Sequence, residues 1–261
     1  MGDNMIKELE NGVRQVLGSE DWKHFLDVMS RFHDYSANNC LLIMLQKPEA
    51  TAVAGYKTWQ KLGRQVRKGE TSIKILAPTK HKKKVEKDGE EKEVVWTTFH
   101  PVGVFDISQT DGEDLPTICE ELTDMVADAG VILAKLGDVA GIPVEYEDIQ
   151  SGAKGYYAKA GKIVIKSGMS DAQTIKTLAH EVAHSILHKA GGEQEKADRN
   201  TKEVQAESVA FLVCNGLGIR SDSYTFEYIA SWSDGKEPKE LLASMAVIQK
   251  TANTILAQMA A

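Results

Sequence analysis

The chain has 261 residues, enough for one large domain or two ordinary domains with a sizeable core. A hydrophobic content of 42%, a charged content of 26% and the lack of an apolar run near about 18 residues indicate a soluble globular protein without a membrane span. The formal net charge of −7 argues against a chain covered by nucleic acid, although a net value can conceal a local basic patch.

The N-terminus and the cysteines bear on the compartment. The first residues lack a basic region followed by an apolar stretch, so no secretory signal is predicted. Cys40, Cys119 and Cys214 are odd in number, far apart in sequence and each in apolar surroundings. We interpret them as buried thiols in a reducing cytosol, and therefore expect a cytoplasmic protein.

The N-terminal half predicts helices followed by a small sheet. Helical periodicity covers the segments 5–17, 22–32 and 36–46, and residues 56–61 are expected to form a further turn. Strand alternation covers the segments 72–76, 92–99 and 102–107. Asp88-Gly89 is a hairpin turn signal between two of these strands. The polar stretch 109–116 ends in a proline and is typical of a boundary, so we predict domains of residues 1–113 and 114–261.

Basic residues are concentrated between positions 57 and 92, where twelve lysines and arginines stand against five acidic residues. This asymmetry suggests a basic module joined to an acidic one. A solvated lysine-rich hairpin accounts for residues 80–92. It accounts less well for the start of the segment, where aromatic and basic residues interleave as in single-strand binders. We predict that DNA is bound there by Tyr56, Trp59, Arg64, Arg67 and Lys68; the alternative for Trp59 is a place in the core.

The C-terminal half predicts a helix over 118–136, strands at 144–146 and 162–165, and then two further helices. The first of these helices is predicted to begin at Ser170 and to end at Gly191-Gly192. The second covers 201–217. With the N-terminal elements, this order predicts an α+β protein in which an edge strand before the first of these helices holds an extended peptide.

The first of these two helices carries His180-Glu181-Val182-Ala183-His184. Histidines four residues apart share one face of a helix, so both imidazoles can bind one metal ion. Glu181, beside the first histidine, can take a proton from the attacking water. The alternative is a pair of surface histidines, but apolar neighbours on both sides suit a helix that lines a cleft. We predict one Zn²⁺ per chain, with Glu181 as the catalytic base.

A catalytic zinc site needs a third protein ligand and one open position for water. The longer H-E-x-x-H-x-x-G-x-x-H pattern is excluded, because the chain has Leu187 and Ala190 where glycine and histidine would stand. His188 lies one turn too far along the helix to complete a tetrahedron. We expect it to have a structural or supporting role.

Two carboxylates one turn apart on the next helix, Glu203 and Glu207, are the better candidates. The arrangement is similar to that of gluzincins, in which a downstream glutamate binds the metal and a second acidic residue orients a ligand histidine. We predict that Glu203 binds the metal and that Glu207 orients a histidine, with Glu207 as the alternate ligand. The other interpretation of Glu203 is a capping box with Asn200.

Two sets of motifs, in this order, resemble those of ArdC-type antirestriction proteins. The first set is Tyr35-Ser36-Ala37-Asn38-Asn39, Gly55-Tyr56-Lys57-Thr58-Trp59, Val66-Arg67-Lys68-Gly69-Glu70 and Val104-Phe105-Asp106-Ile107-Ser108-Gln109-Thr110. The second set, also similar to the ImmA/IrrE peptidases, is Thr177-Leu178-Ala179-His180-Glu181-Val182-Ala183-His184 and Glu203-Val204-Gln205-Ala206-Glu207-Ser208-Val209-Ala210. Gly155-Tyr156-Tyr157 is similar too, without an assigned role. The resemblance covers nearly the whole chain.

The resemblance implies a small helix-plus-antiparallel-sheet domain that binds single-stranded DNA, followed by a zincin-like metallopeptidase domain. It implies His180, His184 and Glu203 as zinc ligands and Glu181 as the base. We expect a zinc metalloendopeptidase that cleaves proteins associated with DNA. The alternative is a DNA-binding antirestriction factor of a mobile element or phage, whose metal site is structural or little used. The intact Glu181 favours the peptidase, since a structural site needs no base.

Overall fold

The computed structural model describes residues 2–87, 90–113, 128–158, 161–192, 194–219, 226 and 229–261, with the backbone alone for 2–4, 85–87 and 90–92. The chain forms two compact units of mixed helix and sheet, which agrees with the predicted α+β class. The first unit comprises Met1–Gly12 and Asn38–Leu115, and the second Val13–Ala37 and Pro116–Ala261. This division differs from the predicted boundary after residue 113, because 13–37 groups with the C-terminal part.

The described helices and strands follow one another along the chain as a helical start, a strand-rich middle and a helical end. In chain order they are α1 (Gly2–Gln15), α2 (Ser19–Arg31), α3 (Ala37–Gln46), β1 (Val53–Gly55), α4 (Tyr56–Lys61), β2 (Arg64–Val66), β3 (Ile73–Lys87), β4 (Glu90–Asp106), β5 (Thr110–Gly112), α5 (Ala129–Ala140), β6 (Val144–Glu147), β7 (Gly155–Ala158), β8 (Lys162–Lys166), α6 (Asp171–Leu187), α7 (Arg199–Gly216), α8 (Ile229–Ser233) and α9 (Pro238–Ala260).

The first unit contains an antiparallel sheet of order β1-β4-β3 and a small β2-β5 ribbon. Strands β3 and β4 pair from Ile73↔Val104 to Lys87↔Glu90, so the hairpin is longer than predicted. The predicted turn at Asp88-Gly89 lies outside the described residues. The base of the hairpin contributes Ile73, Ile75 and Val104 to the core.

Helix α3 covers the open edge of β3 with two amide side chains. Asn39 Nδ2 donates to the carbonyl of Leu76 at 3.0 Å, and Asn39 Oδ1 accepts from the Leu76 amide at 2.9 Å. Gln46 makes the same pair of hydrogen bonds with Lys74, both at 2.8 Å. These side chains occupy the peptide groups that an unprotected edge strand would offer to another chain.

The second unit contains a sheet of order β6-β8-β7, in which β6 is parallel and β7 antiparallel to β8. The prediction that the strand before the metal-binding helix is the edge strand is wrong. That strand, β8, is central because β7, which was not predicted, pairs with its outer side. Helix α6 packs against α5, α7, β7 and β8, while α9, also absent from the prediction, packs mainly on α7 and α5.

Helix α2 packs against α7, which explains why residues 13–37 belong to the second unit. Trp22 is fully buried and its indole Nε1 donates to Ser208 Oγ at 3.0 Å. The rings of Trp22 and Trp232 meet edge to face at a centroid distance of 5.4 Å. Such aromatic anchoring fixes one face of α7. Among the described residues, the helices lack the length and apolar character needed to cross a membrane.

Candidate metal centre and nucleic-acid interface

Two capped helices carry the candidate metal centre. Helix α6 begins at Ser170, whose side chain accepts a hydrogen bond from the amide of Gln173, as predicted. Helix α7 begins at Asp198, whose carboxylate accepts from the amide of Thr201 at 2.9 Å. Since Asp198 and not Asn200 is the N-cap, the interpretation of Glu203 as a capping-box partner does not hold.

The facing surfaces of α6 and α7 bring three potential ligands together. His180 Nε2 lies 3.0 Å from His184 Nε2, and Glu203 Oε2 lies 3.6 Å and 3.8 Å from these two nitrogens. A tetrahedral zinc ion with bonds of about 2.0–2.1 Å places its ligand atoms about 3.3–3.4 Å apart. The observed separations bracket this value. The two imidazoles and the carboxylate are therefore close enough together to bind a single ion.

Glu207 lies on the other side of His180. Its Oε2 is 3.1 Å from His180 Nδ1, and its Oε1 is 3.1 Å from Lys176 Nζ. Both carboxylate oxygens are thus occupied away from the three-donor cluster. A carboxylate on the second ring nitrogen fixes the imidazole orientation and directs the Nε2 lone pair towards the metal position.

His184 is held by a buried relay of polar side chains. Its Nδ1 lies 2.9 Å from His188 Nδ1, His188 Nε2 lies 3.0 Å from Gln205 Oε1, and Gln205 Nε2 donates to Ser244 Oγ at 2.9 Å. Because Gln205 Oε1 only accepts, His188 Nε2 carries the proton and His188 Nδ1 accepts from His184. Burial lowers the pKa of His188 to about 4, so the ring stays neutral and the relay keeps this direction.

Glu181 occupies the position of a general base. Its side chain is buried, and burial raises the pKa of its carboxyl above the usual value. The backbone N–H of Tyr157, on edge strand β7, donates to this carboxylate. Strand β7 approaches α6 closely at Gly155, where an added Cβ would lie 2.8 Å from Thr177 Cγ2. The glycine therefore lets the edge strand reach Glu181.

The ligand residues shift one another's pKa values. The nearby imidazoles of His180 and His184 hold the pKa of Glu203 far below its usual value. Burial lowers the pKa of His180, but the carboxylates of Glu203 and Glu207 outweigh it and raise this pKa to about 9. An incoming metal ion would displace a proton from His180, as metal sites commonly require.

The predicted DNA-binding residues of the first unit fall into two groups. Trp59 is 1% exposed and its Nε1 donates to the Phe105 carbonyl at 2.8 Å, so the prediction that it stacks on bases is wrong for this structure. Arg64 joins β2 to β5 through Thr110 Oγ1 at 2.8 Å, the Thr110 carbonyl at 3.1 Å and the Gly112 carbonyl at 3.2 Å. Both side chains therefore serve the fold.

The other three residues line one shallow pocket of about 670 Å³: Tyr56, Arg67 and Lys68. Two carboxylates share it. Arg67 is bound by Glu70 at 2.9 Å and by Asp111 at 3.4 Å, and Glu70 and Asp111 also line the pocket. The two positive charges are thus matched by two negative ones, which weakens the attraction of this pocket for phosphates.

Known protein families match the N-terminal and the C-terminal part of the chain. Residues 1–105 match the family model of the N-terminal domain of anti-restriction factor ArdC, and residues 138–216 match that of the IrrE N-terminal-like domain, peptidase family M78. Crystal structures of ArdC from plasmid R388, metal-free and Mn(II)-bound, share the fold with a TM-score of 0.54 at 22% and 20% identity. Each match covers 87% of this chain and 85% of that chain. The chain therefore carries a domain that matches the ArdC N-terminal domain, followed by one that matches the IrrE N-terminal-like domain.

One curated relative matches this chain over half of its own length. An uncharacterized protein of Bacillus anthracis is 28% identical over 97% of this chain. The chain spans 50% of that relative's length.

Several residues of the ArdC-type N-terminal motifs connect separate segments of the fold through hydrogen bonds to backbone groups. Asp106 is buried and its carboxylate accepts from the amides of Thr51 at 2.8 Å, Ala52 at 3.1 Å and Ser108 at 2.9 Å. Burial opposes its ionisation, but these hydrogen bonds outweigh it and lower the pKa of Asp106. Asn39, of the first motif, holds the edge of β3 in the same manner.

Several residues around the centre were not predicted from the sequence. Lys176 precedes His180 by one helical turn, so helical spacing could have placed it beside Glu207. Gln205 lies between Glu203 and Glu207 in the sequence, and the only signal that could have identified it is a polar residue on a buried helix. Ser244 belongs to α9, which lacked a recognised signal in the sequence.

Proposed function

We propose that this chain is an ArdC-type protein, a metal-dependent peptidase joined to a unit that binds single-stranded DNA. The observation that carries the peptidase is the juxtaposition of three potential ligands with Glu181, a buried carboxyl next to the first of them. The Mn(II)-bound structure of an ArdC relative supports a divalent metal. Two imidazoles and one carboxylate at tetrahedral spacing favour Zn²⁺.

Each residue of the centre has its own role in the proposed hydrolysis. His180, His184 and Glu203 would hold the ion, which when bound polarises a carbonyl oxygen and lowers the pKa of water. Glu181 accepts the proton of the attacking water and returns it to the nitrogen of the leaving amine. The raised pKa of Glu181 suits both steps, since the carboxyl must bind the proton and then release it.

Edge strand β7 supplies the place for an extended substrate. Its inner side pairs with β8, and Tyr157 reaches Glu181 through its backbone N–H. A peptide that lies along β7 would therefore pass beside the catalytic base, as in binding by strand addition. The match of the first unit to the ArdC N-terminal domain supports DNA binding, and a tethered peptidase would act on proteins carried by that DNA.

The test compares wild type with Glu181→Gln, both loaded with zinc and incubated with a panel of DNA-binding proteins. Glu8→Gln removes an exposed carboxylate of the first unit and serves as the matched control. Each protein is incubated with and without single-stranded DNA. We expect wild type and Glu8→Gln to cleave a member of the panel, and Glu181→Gln to cleave none at equal metal content. Cleavage by Glu181→Gln at the wild-type rate would overturn the peptidase. Full metal content without cleavage by any of the three would favour a structural ion in a DNA-binding antirestriction factor.

A further inference from the structure

The outer part of the β3–β4 hairpin, residues 79–84 and 93–99, exposes apolar and aromatic side chains. We call it the arm. Trp96 is 45% exposed and Phe99 is 61% exposed, and Val94 and Val95 are similarly open. A two-stranded ribbon alone is marginally stable in water, and exposed apolar surface of this kind marks interaction sites.

The two faces of the arm carry different chemistry. Cross-strand partners share a face, so His81 and Trp96 lie on one face with Lys83. Lys80, Lys82 and Lys84 alternate along β3 and lie on the opposite face, at intervals of about 6.8 Å. Phe99 lies on the face of this lysine row.

Trp96 is held in a fixed orientation. The His81 ring stacks on it at a centroid distance of 5.2 Å and an interplanar angle of 16°. His81 is itself fixed by Thr98, since His81 Nε2 lies 2.7 Å from Thr98 Oγ1. An aromatic ring that is ordered before binding loses little conformational freedom when a base stacks on it.

The charges of the arm favour an anionic partner. Four lysines, Lys80, Lys82, Lys83 and Lys84, stand against Glu93 in the described part, and Glu93 is paired with Lys82 at 2.9 Å. The sequence becomes acidic from Glu86 onward, which would repel phosphates. A nucleic-acid strand would therefore follow the arm only as far as Lys84.

We propose that single-stranded DNA binds along the Trp96 face of the arm, with a base stacked on Trp96 and a phosphate beside Lys83. The assignment rests on the proposed DNA-binding function and gives it a site. It follows from the placement of the other candidates, since Trp59 is buried, Arg64 joins two strands and Arg67 is matched by carboxylates. Aromatic stacking and lysine contacts tolerate any base sequence, so binding along the arm is expected to be largely sequence-independent.

The test measures binding of a fluorescein-labelled oligothymidylate to the full-length protein by anisotropy over a salt series. We expect Trp96→Ala to weaken binding by about five- to 150-fold, the range for loss of one stacked base. Lys83→Ala should reduce the salt slope by about 0.7, the contribution of one neutralised phosphate for a single strand. Tyr146→Ala, which removes an aromatic ring that is 50% exposed in the second unit, is the matched control and should bind as wild type.

Three results would overturn the assignment in distinguishable ways. If wild type binds but both arm variants bind equally well, the arm is not the site, and a loss in Lys68→Ala would place it in the pocket of the first unit. If wild type does not bind the oligonucleotide, the proposed DNA-binding function fails as well. If Trp96→Ala changes the sedimentation coefficient but not the affinity for DNA, the arm contacts protein. Because Trp96 lies outside the core, Trp96→Ala should leave the far-UV circular dichroism unchanged.

Discussion

His184 Nδ1 lies 2.9 Å from His188 Nδ1, one turn further along the same helix. The direction of this hydrogen bond is fixed by the next one in the series, because His188 Nε2 must donate to Gln205 Oε1. His184 therefore carries its proton on Nδ1 and leaves the Nε2 lone pair for the metal. Glu207 does the same for His180 from the opposite side. Each ligand histidine thus has its own support.

His188→Leu should weaken metal binding by about 10- to 100-fold, the range for loss of a group that orients a ligand. The reason is that the His184 N–H loses its acceptor inside a buried site. Competition with a chromogenic zinc chelator measures the affinity. His33→Ala removes a histidine whose side chain is 67% exposed and is the control. Unchanged affinity in His188→Leu would show that the relay does not orient His184.

Glu203→Ala and Glu207→Ala should differ in metal content. Glu203 Oε2 faces the Nε2 atoms of both histidines, whereas Glu207 faces His180 Nδ1 and Lys176. We therefore expect Glu203→Ala to lose most of its metal on dialysis and Glu207→Ala to keep it with a lower affinity. Elemental analysis after dialysis against a fixed free-metal concentration makes the comparison. A loaded Glu203→Ala beside an empty Glu207→Ala would exchange the two roles.

The part of the centre carried by a single helix was predictable from the sequence. The spacing of His180 and His184 fixes their common face, and Glu203 falls one turn before Glu207 on a second periodic segment. The relay below His184 was not predictable, because Ser244 comes from α9 and meets Gln205 only through tertiary packing. Strand β7 escaped prediction because it begins with a glycine, a residue that weakens the strand signal but that close packing against Thr177 requires.

The first unit shows the limit of reasoning from residue type alone. An aromatic residue among basic ones is equally compatible with a stacking surface and with a core position. Trp59 is resolved by its hydrogen bond to the Phe105 carbonyl, a contact 46 positions away in sequence. Trp96 is the opposite case. It belongs to a segment predicted as an ordinary strand, and its exposure follows only because the hairpin extends beyond the core.

Trp59→Ala should unfold the first unit, since truncation of a buried tryptophan costs about 3–5 kcal/mol. Trp59→Phe keeps an aromatic ring but loses the hydrogen bond to Phe105 and leaves a small cavity, which together cost about 2 kcal/mol, so it should still fold and bind DNA. Hydrogen exchange of β4 amides measures the stability of the unit, and anisotropy measures DNA binding. A folded Trp59→Ala that has lost DNA binding would restore this residue to the interface.

The N-cap of α7 should give the second unit an acid-dependent stability. Burial opposes ionisation of Asp198, but hydrogen bonds from Thr201 and Lys236 outweigh it and lower the pKa of this residue from 3.8 to about 2. Since the pKa is lowered on folding, the contribution is fully present above about pH 4 and is lost as the pH falls towards 2.

Asp198→Ala should therefore reduce the free energy of unfolding at neutral pH by about 1 kcal/mol, the usual cost of removing an N-cap. The difference from wild type should shrink as the pH is lowered from about 4 to 2, because protonated Asp198 accepts weaker hydrogen bonds and no longer attracts Lys236. Urea unfolding of both metal-free proteins over this range measures the difference directly. A gap of constant size down to pH 2 would show that the ionised form of Asp198 adds nothing to the stability of α7, the helix that carries Glu203.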